Sequence, residues 1–121
     1  MKNTTENIIV DLTIQFSLDI INYSELLEEK HKYVVARQLL KSGTSIGANV
    51  REAQNGESKA DFIHKLSIAQ KECSETIYWL ELLKETEYIS EAQFQSIQTN
   101  AVELIKLLTS ILKSSKFNIN H

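Results

Sequence analysis

Apolar residues recur in steps of three and four along most of the chain, the spacing that lines up one apolar stripe on an α-helix. The four stripes are Ile9, Leu12, Phe16, Ile20, Tyr23 and Leu27; Val35, Leu39, Gly43, Ile46, Val50 and Ala53; Phe62, Leu66, Ala69, Cys73, Thr76, Leu80 and Leu83; and Phe94, Ile97, Ala101, Leu104, Leu108 and Ile111. The third stripe has one polar interruption, at Thr76. The second includes small residues, which would let a neighbouring backbone come close. The pattern predicts four helices that each bury one face.

Helix starts are marked by side chains that can cap free backbone amides. A Ser, Asp or Asn with a polar partner three positions later is typical of a helix N-terminus. The pairs that fit are Asn3 with Glu6, Ser58 with Asp61, and Ser90 with Gln93. Around the last pair, Ile89 and Phe94 occupy the two positions of a hydrophobic staple, so we expect a helix to begin near Ser90.

Helix ends are harder to place, because the chain has no proline and only three glycines. Asn55-Gly56 supplies one stop, where we expect Gly56 to take the left-handed conformation that ends a helix. Segment 28–32 has neither breaker, so one continuous helix over 3–54 is the alternative to two helices there. The prediction is an all-α, antiparallel up-down four-helix bundle in a single domain, 1–121. Its helices span roughly 3–29, 33–54, 58–86 and 90–115, and a C-terminal tail covers 116–121.

Composition agrees with a small folded protein. The 121 residues are 42% apolar and 24% charged, and a chain of this length buries roughly two thirds of its unfolded surface, enough for a stable core. The single cysteine, Cys73, has no partner for an internal disulfide, which favours a cytoplasmic protein. Polar residues Asp11, Gln15 and Asp19 interrupt the apolar residues of the N-terminal segment, so we expect neither a signal peptide nor a membrane span.

Several apolar residues lie outside the four stripes and would be exposed to solvent unless another surface buries them. They are Val10, Ile14, Leu18 and Ile21 in the first helix and Ile68, Trp79 and Leu82 in the third. A wide core face and a contact between subunits explain them equally well. Trp79 favours the contact, because tryptophan is enriched at protein interfaces. We therefore predict a homo-oligomer. The predicted interface residues are Ile14, Leu18, Ile68, Trp79 and Leu82.

A polar stripe runs beside the apolar stripe of the second helix. Its members are Gln38, Ser42, Ser45, Asn49 and Glu52. One explanation is ordinary solvent exposure, which is usual for polar helix faces. The other is a hydrogen-bonded seam against another helix or subunit, since small hydroxyl and amide groups suit close helix contact. In that case Glu75 of the third helix is the candidate partner.

Two residue pairs have a spacing that is found in metal-binding bundles. Glu28 with His31 matches the Glu-x-x-His spacing of di-iron bundles, and Asp61 with His64 resembles it. Both pairs lie at predicted helix ends, away from the core stripes. The sequence also has no glycine-rich phosphate loop, and no serine or cysteine stands in a pattern with histidine and carboxylate. We predict no metal, no cofactor and no enzymatic activity.

Basic residues on and before the second helix suggest an alternative function. Lys30, Lys32, Arg37, Lys41 and Arg51 can form a patch that contacts phosphate groups. The net charge of -3 disfavours it, because nucleic-acid-binding proteins normally carry an excess of positive charge. An interaction or scaffold protein is therefore the favoured interpretation, and RNA binding is the alternative.

A family resemblance covers nearly the whole chain. It is carried by Arg37–Ala53, with the sequence RQLLKSGTSIGANVREA, and by Phe62, Leu66, Ile68-Ala69 and Glu75. These residues resemble the bacterial four helix bundle family, also called the 23S ribosomal RNA intervening-sequence protein family. The resemblance implies a bundle that forms a ring of about five subunits. It carries over no known catalytic residues.

The likeness also bears on partners. The chain differs from the usual Glu-Gly of the family, with Glu52-Ala53 in its place and the glycine delayed to Gly56. The RNA in the family name refers to where some of its genes lie. A more distant relative, the accessory protein of diversity-generating retroelements, is a strongly basic bundle ring that contacts nucleic acid and a reverse transcriptase. For this less basic chain the resemblance implies self-association, as a homopentamer, with another protein or nucleic acid as a further partner and no membrane.

Overall fold

A computed structural model describes the backbone of residues 4–120 and the side chains of residues 8–117. In this part of the chain it contains four α-helices and no strand. The helices are α1 (Thr4–Glu29), α2 (Tyr33–Gln54), α3 (Lys59–Glu85) and α4 (Glu91–Asn120). Each helix packs beside the next, and α4 returns to make a looser contact with α1. Because α1 and α3 do not meet within the described residues, nor α2 and α4, the cross-section is approximately square.

The core consists of one apolar face from each helix, as the stripes predict. Its largest fully buried side chains are Phe16, Ile9, Ile20, Leu27, Leu39, Ile46, Leu66, Leu80, Leu83, Ile97, Leu104 and Leu108. At four places the fully buried position lies one residue after the predicted one. In α1, Thr13 and Ser24 are buried beside Leu12 and Tyr23, which are half-buried. Ala36 is buried where Val35 was expected, and Leu112 where Ile111 was expected. A straight helix has 3.6 residues per turn, so a strict seven-residue stripe drifts around it over several turns.

A sharp turn separates α1 from α2, so the alternative of one continuous helix is wrong. His31 takes a left-handed conformation with φ 62°. Its backbone N–H donates to Glu28 O at 2.9 Å, and that of Lys32 donates to Leu27 O at 2.9 Å. These two bonds form a Schellman motif, which ends a helix by satisfying its last carbonyl groups. The motif usually contains glycine, but here it is built on histidine.

The turn between α3 and α4 repeats this arrangement at the same end of the bundle. Glu87 also has φ 62°, and Tyr88 N–H donates to Leu83 O at 3.0 Å. The two turns contact each other, since Lys30 Nζ donates to Tyr88 O at 3.2 Å and Lys32 Nζ lies 4.5 Å from the centre of the Tyr88 ring. A left-handed non-glycine residue costs about 1–2 kcal/mol, and these tertiary contacts help to offset that cost.

Side-chain caps form at the starts of α3 and α4 as predicted. Ser58 Oγ accepts a hydrogen bond from Asp61 N at 3.1 Å. Ser90 and Gln93 form a reciprocal capping box, in which Gln93 N donates to Ser90 Oγ at 3.1 Å and Ser90 N donates to Gln93 Oε1 at 2.8 Å. The Asn3 cap predicted for α1 lies outside the described residues.

Two expectations about helix ends are wrong. Gly56 does not have a positive φ. Instead α2 ends through short bonds, Asn55 N to Glu52 O at 3.1 Å and Gly56 N to Ala53 O at 3.1 Å, which tighten the last turn without a left-handed residue. The predicted tail, 116–121, is also too long, because α4 continues to Asn120. No glycine or proline follows residue 56, so nothing in the sequence breaks this helix earlier.

Candidate assembly faces on either side of α2

Glycines bring α2 close to α1. A Cβ atom on Gly43 would lie 2.7 Å from Cγ2 of Ile20, and one on Gly47 would lie 3.3 Å from Cβ of Thr13. The first distance is shorter than any real contact between carbon atoms, so only glycine fits there without movement of α1. The predicted role of small residues in the second stripe is therefore confirmed.

Beside this close contact, an apolar groove runs along the outer side of α1 and α2. Its lining is Val10, Thr13, Ile14, Ser17, Leu18, Gly47, Ala48, Val50 and Arg51. Ile14 and Leu18 are 44% and 50% exposed, although both are large aliphatic residues. Ile21 continues the same row one turn further along α1. We call Ile14, Leu18, Ile21, Ala48 and Arg51 the α1/α2 face; Arg51 is the charged residue in the groove lining.

The contact between α2 and α3 is polar at its centre. The hydroxyl oxygens of Ser42 and Thr76 lie 3.0 Å apart in a hydrogen bond, and both residues are buried. Nearer the C-terminal end of α2, Lys65 Nζ lies 3.2 Å from Glu52 Oε2. Two members of the predicted polar stripe, Ser42 and Glu52, therefore reach α3 directly.

The remaining stripe residues do not reach α3. Ser45 Oγ donates to Lys41 O at 2.6 Å, and Asn49 Nδ2 donates to Ser45 O at 2.8 Å, both within α2. Gln38 is exposed. Hydroxyl and amide groups often bond to the preceding turn of their own helix in this way. These three residues thus form the outer polar edge of α2 and do not belong to a seam inside the subunit.

The buried partner on α3 is Thr76, not its neighbour Glu75. Glu75 is exposed and its Oε1 lies 3.4 Å from Trp79 Nε1 on the same helix. The signal that could have identified Thr76 was its position, because a polar residue inside an apolar stripe needs a buried hydrogen-bond partner. Ser42 on the facing helix is the residue that supplies it.

A second row of partly apolar residues lies on α3 next to α2. Its members, spaced by four and three residues, are Ile68, Glu72, Glu75, Trp79 and Leu82, and we call them the α2/α3 face. Leu82 is 37% exposed, while Ile68 and Trp79 are half-buried. The Trp79 ring also contacts the exposed Tyr78 ring, edge to face, with centroids 5.5 Å apart. Of the five predicted interface residues, Ile14, Leu18 and Leu82 are exposed, and Ile68 and Trp79 are half-buried.

The α2/α3 face carries crowded negative charge. Partial burial raises the pKa of the Glu72 carboxyl group, and the neighbouring charge of Glu75 raises it further. Lys41 and Lys71 act in the opposite direction but do not cancel the increase. A cation placed against this face would therefore be stabilised.

The predicted basic residues do not form one patch. Lys30 and Lys32 are engaged with Tyr88 at the turns, and Arg37 Nε donates to Tyr33 O at 3.4 Å. Fourteen residues separate Arg37 from Arg51, which is about 21 Å along a helix. Arg37, Lys41 and Arg51 are exposed at intervals along α2.

The side chains that could bind a metal or act as a nucleophile do not form a cluster in the described part of the chain. The described residues contain no group of three or more potential metal ligands, and His31 Nδ1 instead lies 2.7 Å from the Tyr33 hydroxyl oxygen. Cys73 is buried with Sγ 3.4 Å from Ala101 O, and burial raises the pKa of its thiol to about 12. None of the helices, as far as they are described, is long and apolar enough to cross a bilayer.

Comparison with known proteins identifies a family and a similar fold. The family model of the 23S rRNA-intervening sequence protein matches residues 5–110. A crystal structure of a protein of unknown function from the S23 ribosomal protein family, from Bacteroides thetaiotaomicron, is 50% identical in sequence with a TM-score of 0.85. The match covers 87% of this chain and 98% of that one. No curated protein matches the sequence.

Proposed function

This chain belongs to the 23S rRNA-intervening sequence protein family, and from that premise we propose that it is a non-enzymatic protein that assembles into a ring of about five copies. The ring serves as a scaffold to which another protein binds. Its place is the cytoplasm, a proposal supported by the lone buried thiol. The proposal concerns assembly because several large apolar residues are exposed on the surface of the bundle.

The observation that carries the proposal is the row of exposed aliphatic residues beside α2. Ile14 and Leu18 are about half exposed and line a groove in which apolar surface predominates. Contiguous apolar surface of this kind is uncommon on monomeric proteins and marks interaction sites. A subunit contact would remove it from water, which would stabilise the assembly by about 25 cal/mol for each Å² buried.

The hydrogen bonds of the buried polar groups support a structural role for Ser42, Thr76 and Cys73. Ser42 and Thr76 bond to each other, and Cys73 lies against a backbone carbonyl group, so these groups are satisfied within the bundle. The high pKa of Cys73 keeps its thiol protonated and therefore a poor nucleophile at neutral pH.

A charge placed in the groove tests the proposal. Leu18→Glu adds a carboxylate to the centre of the α1/α2 face and is expected to reduce the native mass to one or two chains. Thr99→Glu is the matched control, because Thr99 is exposed on α4 and belongs to neither face. Sizing-column elution of both variants beside the wild type gives the answer. If Leu18→Glu keeps the wild-type mass, the groove is not an assembly surface.

RNA binding is a second candidate, favoured by the exposed positions of Arg37, Lys41 and Arg51 on one helix. A ring would repeat these cations around its axis and so raise the local positive potential. The test is RNA affinity as a function of salt for the wild type and a variant in which all three are changed to Gln. Phosphate contacts predict weaker binding at higher salt and a shallower dependence in the variant. Salt-independent binding, or none, would rule this function out.

A further inference from the structure

We infer that the α1/α2 face of one subunit docks on the α2/α3 face of the next, so that α2 lines the axis of the ring. This inference rests on the proposed self-assembly and adds to it which surfaces meet. The occupant of the apolar groove is then a second copy of this chain, through the row from Ile68 to Leu82 on its α3 helix.

Charge complementarity supports a second copy as the occupant. The groove on the α1/α2 face has a cation, Arg51, at its edge. The α2/α3 face presents Glu72 and Glu75 between its apolar residues, and these carboxylates repel each other. Apolar surface with positive charge on one face and with negative charge on the other favours a contact between unlike faces. A contact of either face with its own copy would not place Arg51 against Glu72 and Glu75.

The register of the helices places the two apolar rows at the same height. On one side of α2, Gly43 lies against Ile20 and Gly47 lies against Thr13 and Ser17. Ile14 and Leu18 therefore stand level with the second half of α2, around Ala48.

On the other side of α2, the bond between Ser42 and Thr76 and the ion pair between Glu52 and Lys65 fix the position of α3. Ile68 and Glu72 fall between those two pairs and therefore also stand level with the second half of α2. Rotation about an axis parallel to the bundle keeps every residue at its height. The rotation consequently brings Ile14 and Leu18 of one copy to Ile68 and Glu72 of the next.

The square cross-section also limits the number of subunits. The two faces are adjacent sides of the bundle that share α2 as their corner. Adjacent sides of a square meet at about 90°, so successive copies turn by a similar angle and the ring closes with about four or five subunits. Closure at the shared corner puts α2 next to the axis and α4 at the outer rim. Arg37 and Lys41, exposed on α2, then face the central channel.

Cysteine cross-linking tests this pairing directly. The variants are Leu18→Cys, Glu72→Cys and the double variant, treated with a short thiol-specific cross-linker. Native Cys73 can stay, because it is buried and the burial raises the pKa of its thiol to about 12; the wild type treated with the same cross-linker is the control for its reaction. Ile14→Cys with Ile68→Cys provides a second pair in case the first pair fails to fold. Leu18→Cys combined with Thr99→Cys is the control that places one thiol on the outer rim.

Unlike faces in contact predict a distinct pattern of products. Each single variant gives no covalent product, an equal mixture of the two gives dimers, and the double variant gives a ladder that ends at the ring size. The control pair gives no ladder. If the wild type has the mass of several subunits but Leu18→Cys alone gives dimers, or the control pair cross-links, this inference is overturned while the proposed assembly stands. A wild-type mass of one chain overturns both.

Discussion

The two sides of α2 hold their neighbouring helices by different means. Toward α1 the contact depends on volume, because Gly43 and Gly47 remove side chains where Ile20 and Thr13 approach. Toward α3 it depends on polarity, because Ser42 bonds to Thr76 in a largely apolar interior. A single helix is thus positioned by shape on one side and by hydrogen bonding on the other. Substitutions that change side-chain volume should therefore weaken mainly the contact with α1, and substitutions that change polarity should weaken mainly the contact with α3.

The largest effect is expected from Gly43→Ala. Alanine favours helix by about 1 kcal/mol over glycine, but the new methyl group would lie 2.7 Å from Ile20, whose branched side chain cannot move away easily. Overpacking of this kind costs about 1–3 kcal/mol, so after the gain in helix propensity we expect a net loss of up to about 2 kcal/mol in the free energy of unfolding. Urea denaturation at fixed chain concentration measures it.

Gly47→Ala is the matched control for that change. Its added methyl group would meet Thr13 and Ser17 at 3.3–3.4 Å, a distance that requires only a small adjustment. The gain in helix propensity should then offset the contact and leave stability within about 0.5 kcal/mol of the wild type. Equal losses for the two alanine variants would contradict the account of the α1 side.

The next effect is expected on the α3 side, from Thr76→Val. The change keeps the shape of the side chain but removes the hydroxyl group that bonds to Ser42, at a cost of about 1 kcal/mol. Ser42→Ala should cost a similar amount, and the double variant less than the sum of the two. A double-mutant cycle by urea denaturation gives the coupling. Strict additivity would mean that the two hydroxyl groups act independently.

A smaller effect is expected from Glu52→Gln, which breaks the ion pair with Lys65 on the same side. The two side chains are 58% and 32% exposed, so water screens the pair, and its removal should cost less than about 0.5 kcal/mol. The loss should vanish as salt is added. Thermal melts at low and high salt provide the measurement, and a loss that persists at high salt would show a role beyond charge pairing.

The smallest effect is expected from Glu72→Gln, and its size depends on pH. The folded-state pKa of Glu72 is raised above its ordinary value of 4.5, so the charged form is disfavoured in the bundle. The bundle is therefore more stable while the Glu72 carboxyl group is protonated, and this added stability is lost as pH rises through the folded-state pKa. In the Leu18→Glu background, where no neighbouring subunit covers the α2/α3 face, Glu72→Gln should melt slightly higher than its parent at pH 7, and the difference should shrink below pH 4.5. A lower melting temperature at pH 7 would indicate that the charge is stabilising.

Sequence patterns predicted those features whose causes are local. The stripes of α3 and α4 follow from helical spacing, and the Ser58 and Ser90 caps need only residues three positions away. The small-residue contact with α1 was also foreseeable in kind. It could not be assigned to Ile20 from the sequence, because the register between two helices is set by packing.

Features that depend on tertiary contacts were left open or missed. The turn at His31 could not be recognised by glycine or proline, since its left-handed residue is supported by contacts of Lys30 and Lys32 with Tyr88. The pairing of Ser42 with Thr76 joins residues 34 positions apart, and the sequence pointed to Glu75 in its place. The prediction of a left-handed Gly56 was wrong for a simpler reason, because the end of α2 is closed by backbone hydrogen bonds that any residue can make.

The central claim is that the outer surfaces on both sides of α2 are covered by other copies of this chain. Absolute mass in solution, by light scattering behind a sizing column, tests it most directly. The account predicts a single species of about five times the 13.8 kDa chain mass, consistent with a closed ring. A species of 13.8 kDa over the whole concentration range would contradict it, and would assign Ile14, Leu18 and Leu82 to the surface of a monomer.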